Sequence, residues 1–112
     1  MSEKSFLGEF EQMVLLAILQ LREGAIPPRI VDELEARAGR KASRGALYTT
    51  LDRLERKGLV RWEIEAATSE RGGNRSRRFE VTPAGIEALI DSREALQNLW
   101  RGLGGLLRRP AR

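Results

Sequence analysis

The sequence predicts a mainly α-helical domain with one small β-hairpin, and three observations lead to that prediction. Before residue 58, apolar residues recur three times at helical spacing. After residue 58 the spacing changes to the alternation of β-strands, and a further helical pattern begins after residue 82. Two helices joined by a short turn and followed by a hairpin are typical of a winged helix-turn-helix, here with an added C-terminal helix.

The composition predicts a single domain without an enzymatic or metal centre. The 112 residues include no cysteine and no histidine, which excludes disulfides, thiolate metal sites and imidazole chemistry. The sequence has no glycine-rich phosphate loop and no metal-ligand spacing, so we expect no enzyme, cofactor or metal. The longest apolar run, residues 13–19, is too short to span a bilayer, and no signal-peptide pattern precedes it. We therefore expect a cytoplasmic protein with no membrane partner.

The positive charge is concentrated in the middle of the chain. The formal net charge is +4, yet residues 37–78 carry +7 and the remaining residues carry −3. A basic segment within a weakly acidic scaffold is typical of a surface that binds phosphate groups.

The first helix is predicted over residues 7–22 and is apolar on almost every side. Phe10, Val14 and Ile18 follow one stripe, while Met13 and its apolar neighbours occupy much of the other side. In a small domain, a helix that is apolar all round is expected to contact a second subunit as well as its own core.

The next two helices form the predicted helix-turn-helix. The pair Pro27–Pro28 opens the first of them, because proline is tolerated in a first helical turn, and Gly39 ends it. Ser43 is placed to cap the second helix, and Gly58 stands where a left-handed residue ends a helix. The inward face of this second helix is predicted to carry Leu47, Thr50, Leu51 and Leu54.

The outward face of the second helix is polar and basic near its start. Short and basic groups at such a position suit contact with base edges in a major groove. The alternative is the solvated basic face that any amphipathic helix can have. The residues predicted to contact DNA from this region are Lys41, Ser43, Arg44, Tyr48, Thr49 and Arg53.

The hairpin is predicted to form a basic wing beside this helix. Alternation directs Val60, Trp62 and Ile64 inward from the first strand, and Phe79 and Val81 inward from the second, so we expect Trp62 in the core. A polar, glycine-rich segment between the strands indicates a hairpin tip. The alternative is that the basic residues of the wing do not contact DNA and only make the surface soluble. The residues predicted to grip the DNA backbone are Arg71, Arg75, Arg77 and Arg78.

The last helix is predicted over residues 83–107, after a DNA-binding domain at 1–82 and before a loose tail at 108–112. Its apolar residues follow a seven-residue repeat, as in coiled coils, which predicts a dimerisation helix. The residues predicted at the dimer interface are Leu7, Phe10, Val14, Leu89, Leu96, Trp100 and Leu103.

Three segments of the chain resemble the PadR family of bacterial transcriptional regulators. They are residues 7–19, 43–60 and 70–89, and the most specific parts are GALYTTLDRLERKGLV and the RGG-containing wing. The resemblance implies a dimeric repressor on double-stranded DNA that a small ligand or another signal releases. A two-fold dimer implies a pseudo-palindromic operator. Where the family has an aromatic–glycine pair, this chain has Ile26-Pro27-Pro28.

The resemblance also raises the question of an effector. Compact members of the family hold planar aromatic ligands between their C-terminal helices, which implies such an effector in a pocket lined by Phe10, Met13, Leu96 and Trp100. Packing of Trp100 at the dimer interface is the competing interpretation. The competing function is a winged-helix protein-interaction module that uses the same basic surface against an acidic partner.

Overall fold

The computed structural model describes residues 6–65 and 75–110, and within them the chain forms four α-helices and one antiparallel hairpin. This order of elements confirms the predicted winged helix-turn-helix with an added C-terminal helix. The predicted hairpin tip and Arg71 lie outside the described residues. The elements are α1 (Glu9–Leu21), α2 (Pro27–Ala38), α3 (Arg44–Arg56), β1 (Val60–Glu65), β2 (Ser76–Val81) and α4 (Pro83–Trp100).

The helix ends follow the capping signals in the sequence. The Ser43 hydroxyl accepts the Ala46 N–H at 3.0 Å at the start of α3. The Thr82 hydroxyl accepts the Gly85 N–H at 3.1 Å at the start of α4. Gly58, just after α3, has a φ of +76°, as predicted for the residue that ends this helix.

The core lies between α1, α2, α3 and the base of the hairpin. All four residues predicted on the inward face of α3 are buried, and its three leucines are fully enclosed. Val14, Leu15 and Ile18 of α1 and Phe79 of β2 are buried in the same cluster. Because these apolar side chains are removed from water, the orientation of α3 about its own axis is determined.

The hairpin is joined to the helices at its base. Val60 of β1 pairs with Val81 of β2, and Trp62 pairs with Phe79. The Phe79 N–H also donates to the Ala25 carbonyl at 2.9 Å, which connects β2 to the segment between α1 and α2. The wing therefore leaves the domain at a defined position beside α3.

The prediction that Trp62 packs in the core is wrong. Its partner Phe79 is 1% exposed, whereas Trp62 is 37% exposed. The indole N–H of Trp62 donates to the Glu55 carboxylate at 3.0 Å, near the end of α3. Beyond Val60, β1 extends past the edge of the core, so inward alternation no longer implies burial.

The last helix is shorter than predicted. It ends at Trp100, Arg101 is extended, and Gly102 has a φ of +81°. Leu103 therefore lies beyond α4, in a turn in which its N–H donates to the Trp100 carbonyl at 3.2 Å. The glycines after Trp100 lower the helical propensity enough to stop the heptad pattern from continuing as helix. Within the described part of the chain, no helix is long and apolar enough to cross a membrane.

Two residues predicted at the dimer interface belong to the core of the single chain. Leu7 precedes α1 and is 8% exposed, and Val14 is 0% exposed. The Leu7 N–H also faces the buried Ser92 hydroxyl of α4 at 3.4 Å. Both side chains are covered within the single chain, so neither supports the predicted interface.

A buried carboxylate joins the start of α1 to the end of α3. Glu11 is 6% exposed and accepts the Gly8 N–H at 3.0 Å and the Lys57 ammonium at 2.8 Å. Burial raises the pKa of Glu11, but the hydrogen bonds from Lys57 and Gly8 and the charges of Lys57 and Arg53 outweigh it, so its pKa is lowered. The sequence signal that we missed is the three-residue spacing from Gly8 to Glu11, which is that of a capping box.

We expect Glu11→Gln to reduce the free energy of unfolding by about 1–3 kcal/mol at neutral pH. Because folding lowers the pKa of Glu11, its stabilising effect is present above the ordinary carboxyl pKa of 4.5 and is lost as the pH falls through the folded value. Urea denaturation of both proteins across this range measures the difference. Glu9→Gln, which removes a 79% exposed carboxylate, is the matched control. A difference for Glu11→Gln that persists unchanged in acid would contradict this prediction.

We expect Gly85→Ala to destabilise the fold by about 1–3 kcal/mol, because the first turn of α4 packs tightly on the hairpin. A Cβ at Gly85 would lie 2.3 Å from the Leu59 carbonyl oxygen and 2.6 Å from Val81 Cγ1. Chemical denaturation measures the loss. Gly104→Ala is the control, since a Cβ there meets no atom within 4 Å. Equal stability of the two variants would show that the close approach is unimportant.

Candidate nucleic-acid interface

The first two turns of α3 present a polar surface to solvent. Arg44, Gly45 and Thr49 are exposed and Tyr48 is half-buried, while the opposite face of the helix lies in the core. The hydroxyl of Ser43 is engaged in the cap. A Cβ at Gly45 would meet no atom of this chain within 4 Å, so the backbone of the first turn is open to close approach.

The basic residues around α3 do not form one patch. Arg44 and Arg53 are nine residues apart, which is about two and a half turns at 3.6 residues per turn. They therefore project from opposite sides of the helix axis. The charge of Arg53 lowers the pKa of Glu11, so Arg53 lies on the side toward α1. Lys41 is exposed in the loop before α3. Arg44 and Tyr48 lie on the side toward the wing.

The outer face of the hairpin is largely neutralised by cross-strand ion pairs. Arg78 is paired with Glu63, and the Arg61 guanidinium lies 2.7 Å from the Glu80 carboxylate. Opposite charges across an antiparallel pair stabilise the hairpin. Of the arginines predicted in the wing, Arg78 therefore already has an anionic partner.

The inner face of the hairpin holds Arg77 among aromatic rings. Its guanidinium carbon lies 5.0 Å from the centre of the Trp62 ring, 5.4 Å from that of Phe79 and 5.7 Å from that of Tyr48. These distances are those of cation–π contacts. Since Tyr48 belongs to α3, Arg77 connects the wing to the helix at the point where both face solvent.

A cleft of about 820 Å³ opens between the start of α2, the start of α3 and the inner face of the wing. We call it the arginine cleft, because Arg29, Arg44, Arg75 and Arg77 line it. Its lining, among the residues that the structure describes, includes no carboxylate. Arg29 was not predicted from the sequence. Arg29 directly follows Ile26-Pro27-Pro28, the segment in which this chain differs from the aromatic–glycine pair of the family. These three residues also line the cleft.

A second concave surface, the α1–α4 groove, has a volume of about 410 Å³ and is mainly apolar. Leu96 and Trp100 line it, and Trp100 is 61% exposed. Met13 instead lines a cavity between α1 and α2, and Phe10 lies under the Arg40 guanidinium at 4.9 Å. Within one chain, the four residues predicted for an effector pocket are therefore not brought together.

The chain is similar to known regulators in both sequence and structure. A family model described as the transcriptional regulator PadR-like family matches residues 15–91. The chain is 42% identical over 71 residues to the transcriptional regulator Rv3488 of Mycobacterium tuberculosis, a match that spans 62% of this chain and 63% of that protein. It therefore aligns with less than two thirds of the length of this relative.

Solved structures share the fold over nearly the whole chain. A PadR-like transcriptional regulator from Bacillus cereus has a TM-score of 0.71 and 20% identity, and the match covers 90% of this chain and 93% of that one. A PadR family transcriptional regulator from Eggerthella lenta has a TM-score of 0.67 and 28% identity, with coverage of 91% and 88%. These similarities agree with the order of elements described above.

Proposed function

The chain belongs to the PadR-like family of transcriptional regulators, and we propose that it is a dimeric repressor that binds a specific sequence of double-stranded DNA. The observation that carries this proposal is the exposed polar start of α3 beside a basic wing. A helix of this shape fits the major groove of DNA, and a basic hairpin beside it fits the backbone. Its family and its curated relative are transcriptional regulators and not enzymes.

The proposed DNA contacts are of two kinds, contacts to base edges and contacts to backbone phosphates. Arg44, Tyr48 and Thr49 extend from the first two turns of α3 and are proposed to reach base edges. The open backbone at Gly45 favours a close approach of the groove. Positively charged residues around this centre are proposed to contact phosphates, with a smaller part for the ion-paired Arg78. They are Lys41, Arg53, Arg71, Arg75, Arg77 and Arg78, together with the helix start at Ser43.

The α1–α4 groove supports a second copy of the chain as partner. Leu16 and Leu19 of α1 are 49% and 37% exposed, and Leu96 and Trp100 of α4 are 47% and 61% exposed. Monomeric proteins rarely expose contiguous apolar surface of this kind. A two-fold dimer would set the two α3 helices about 34 Å apart on a pseudo-palindromic operator. Leu89 also lines this groove, and Leu103 lines a shallow apolar cleft beside it that shares Leu96 and Trp100. Both residues therefore extend the proposed interface.

Release by a planar aromatic effector is the further part of this proposal. Leu96 and Trp100 support a site in the α1–α4 groove, because they form an apolar wall with an exposed indole. Phe10 and Met13 do not support it within one chain. A protein-interaction module remains the alternative function, because the basic surface would also suit an acidic partner.

We expect Arg44→Ala to weaken binding to the DNA upstream of the protein's own gene by about 1–3 kcal/mol, through loss of base contacts. Fluorescence anisotropy near physiological salt measures this, with a scrambled duplex for comparison. Arg37→Ala is the matched control, since this exposed arginine on α2 is paired with Glu33 and lies in the cavity against α1. Wild-type protein should prefer the upstream DNA by at least ~10³-fold. Equally weak binding to both duplexes would favour the interaction module.

We expect the protein to be a dimer at micromolar concentration and Leu96→Lys to be a monomer, because the substitution puts a charge into the apolar groove. Light scattering measures the mass, and circular dichroism checks that the helices persist. Leu106→Lys is the control, since this residue is 81% exposed beyond α4. A monomeric wild type would remove the proposed dimer.

A further inference from the structure

We propose that the arginine cleft is a binding site for a small organic phosphate, and that this ligand and DNA exclude each other. The competition between them rests on the proposed DNA binding, whereas the site itself does not. The proposed ligand has two parts, a phosphate group that the arginines of the cleft would bind and a flat ring that its apolar residues would contact.

Within the part of the chain that the structure describes, the charge of the cleft is not compensated by ion pairs. Arg29 comes from the first turn of α2, Arg44 from the first turn of α3, and Arg75 and Arg77 from the wing. Among the residues described, none of these four forms an ion pair, whereas the arginines on the outer face of the hairpin do. Planar guanidinium groups bind phosphate oxygens through paired N–H donors, so a phosphate is the group that these four arginines best suit.

One of these arginines is already held in position. Arg77 is half-buried and lies 5.0–5.7 Å from the centres of three aromatic rings. Ring faces stabilise a guanidinium without accepting strong hydrogen bonds from its edge. A side chain held in this way loses little conformational freedom when it binds an anion.

Part of the lining of the cleft is apolar. Ile26, Pro27 and Pro28 stand at the start of α2 beside Arg29, and Ile64 is the strand partner of Arg77 in the wing. The two prolines have no N–H, so the start of α2 offers no backbone donor from these positions. A DNA phosphate gains nothing from these apolar side chains, whereas a flat ring in contact with them would be removed from water. The volume of about 820 Å³ is in the range of small-molecule sites.

The cleft shares residues with the proposed DNA surface. Arg44 and Tyr48 line the cleft and also belong to the outward face of α3. A bound phosphate would neutralise Arg44 and occupy the space between α3 and the wing. DNA and the ligand would then compete, and each would lower the apparent affinity for the other.

The experiment is an equilibrium titration with AMP as the probe, by calorimetry and by Trp fluorescence, since Trp62 adjoins Arg77. Adenosine supplies the ring without the phosphate, and inorganic phosphate supplies the phosphate without the ring. We expect saturable binding of AMP to one site per chain, at least about tenfold tighter than either control compound. No saturable binding of AMP would overturn the inference.

Variants then locate the site. We expect Arg29→Gln and Arg77→Gln each to weaken AMP binding at least about tenfold, since each removes a phosphate donor. Arg29→Gln changes an exposed side chain, so it guards against a loss of folding in Arg77→Gln. Arg37→Gln, farther along α2, makes the same charge change outside the cleft and should bind AMP like the wild type. AMP binding unchanged in both cleft variants would overturn the inference.

Competition separates this inference from the proposed function. AMP that displaces the upstream DNA from the wild type supports both. AMP binding by a protein that does not bind DNA supports the site and contradicts the proposed function. DNA binding that AMP does not weaken, at concentrations that saturate the cleft, contradicts mutual exclusion.

Discussion

Burial of one face of α3 is the interaction on which the rest of the structure depends. Leu47, Leu51 and Leu54 are fully enclosed in a core cluster with residues of α1, α2 and the base of the hairpin. Burying a leucine stabilises a fold by about 1.5–3 kcal/mol, so any rotation of α3 about its axis would be costly. The polar side chains at the start of α3 therefore face solvent as a rigid set. A surface held in this way is suited to recognising another rigid surface.

The hairpin determines how charge is distributed around that surface. The Phe79 hydrogen bond to Ala25 holds the base of the wing, and alternation along the strands separates two kinds of arginine. Those on the outer face are neutralised by glutamates of the opposite strand. Arg77, on the inner face, is surrounded by rings instead. The positive potential is thus directed toward α3 and away from the back of the wing.

The apolar surface of α1 is larger than the core of one chain covers. Leu15 and Ile18 are buried in the chain, while Leu16 and Leu19 remain exposed beside α4. Only one of the two apolar sides of this helix packs in the core of its own chain. In the proposed dimer the second copy covers the other side. The same helix then contributes to the core of the chain and to the proposed interface.

The sequence by itself determined the local features of this protein. The Ser43 and Thr82 caps, the glycine at the end of α3 and the inward face of that helix were all predicted, because each depends on residues within a turn of one another. Tertiary structure alone decided the exposure of Trp62 and the pairing of Glu11 with Lys57, 46 residues apart. It also decided the arginine cleft, whose walls come from α2, α3 and the wing. Contacts between distant segments leave no periodic signal in a sequence, so only the packing of the core could bring these residues together.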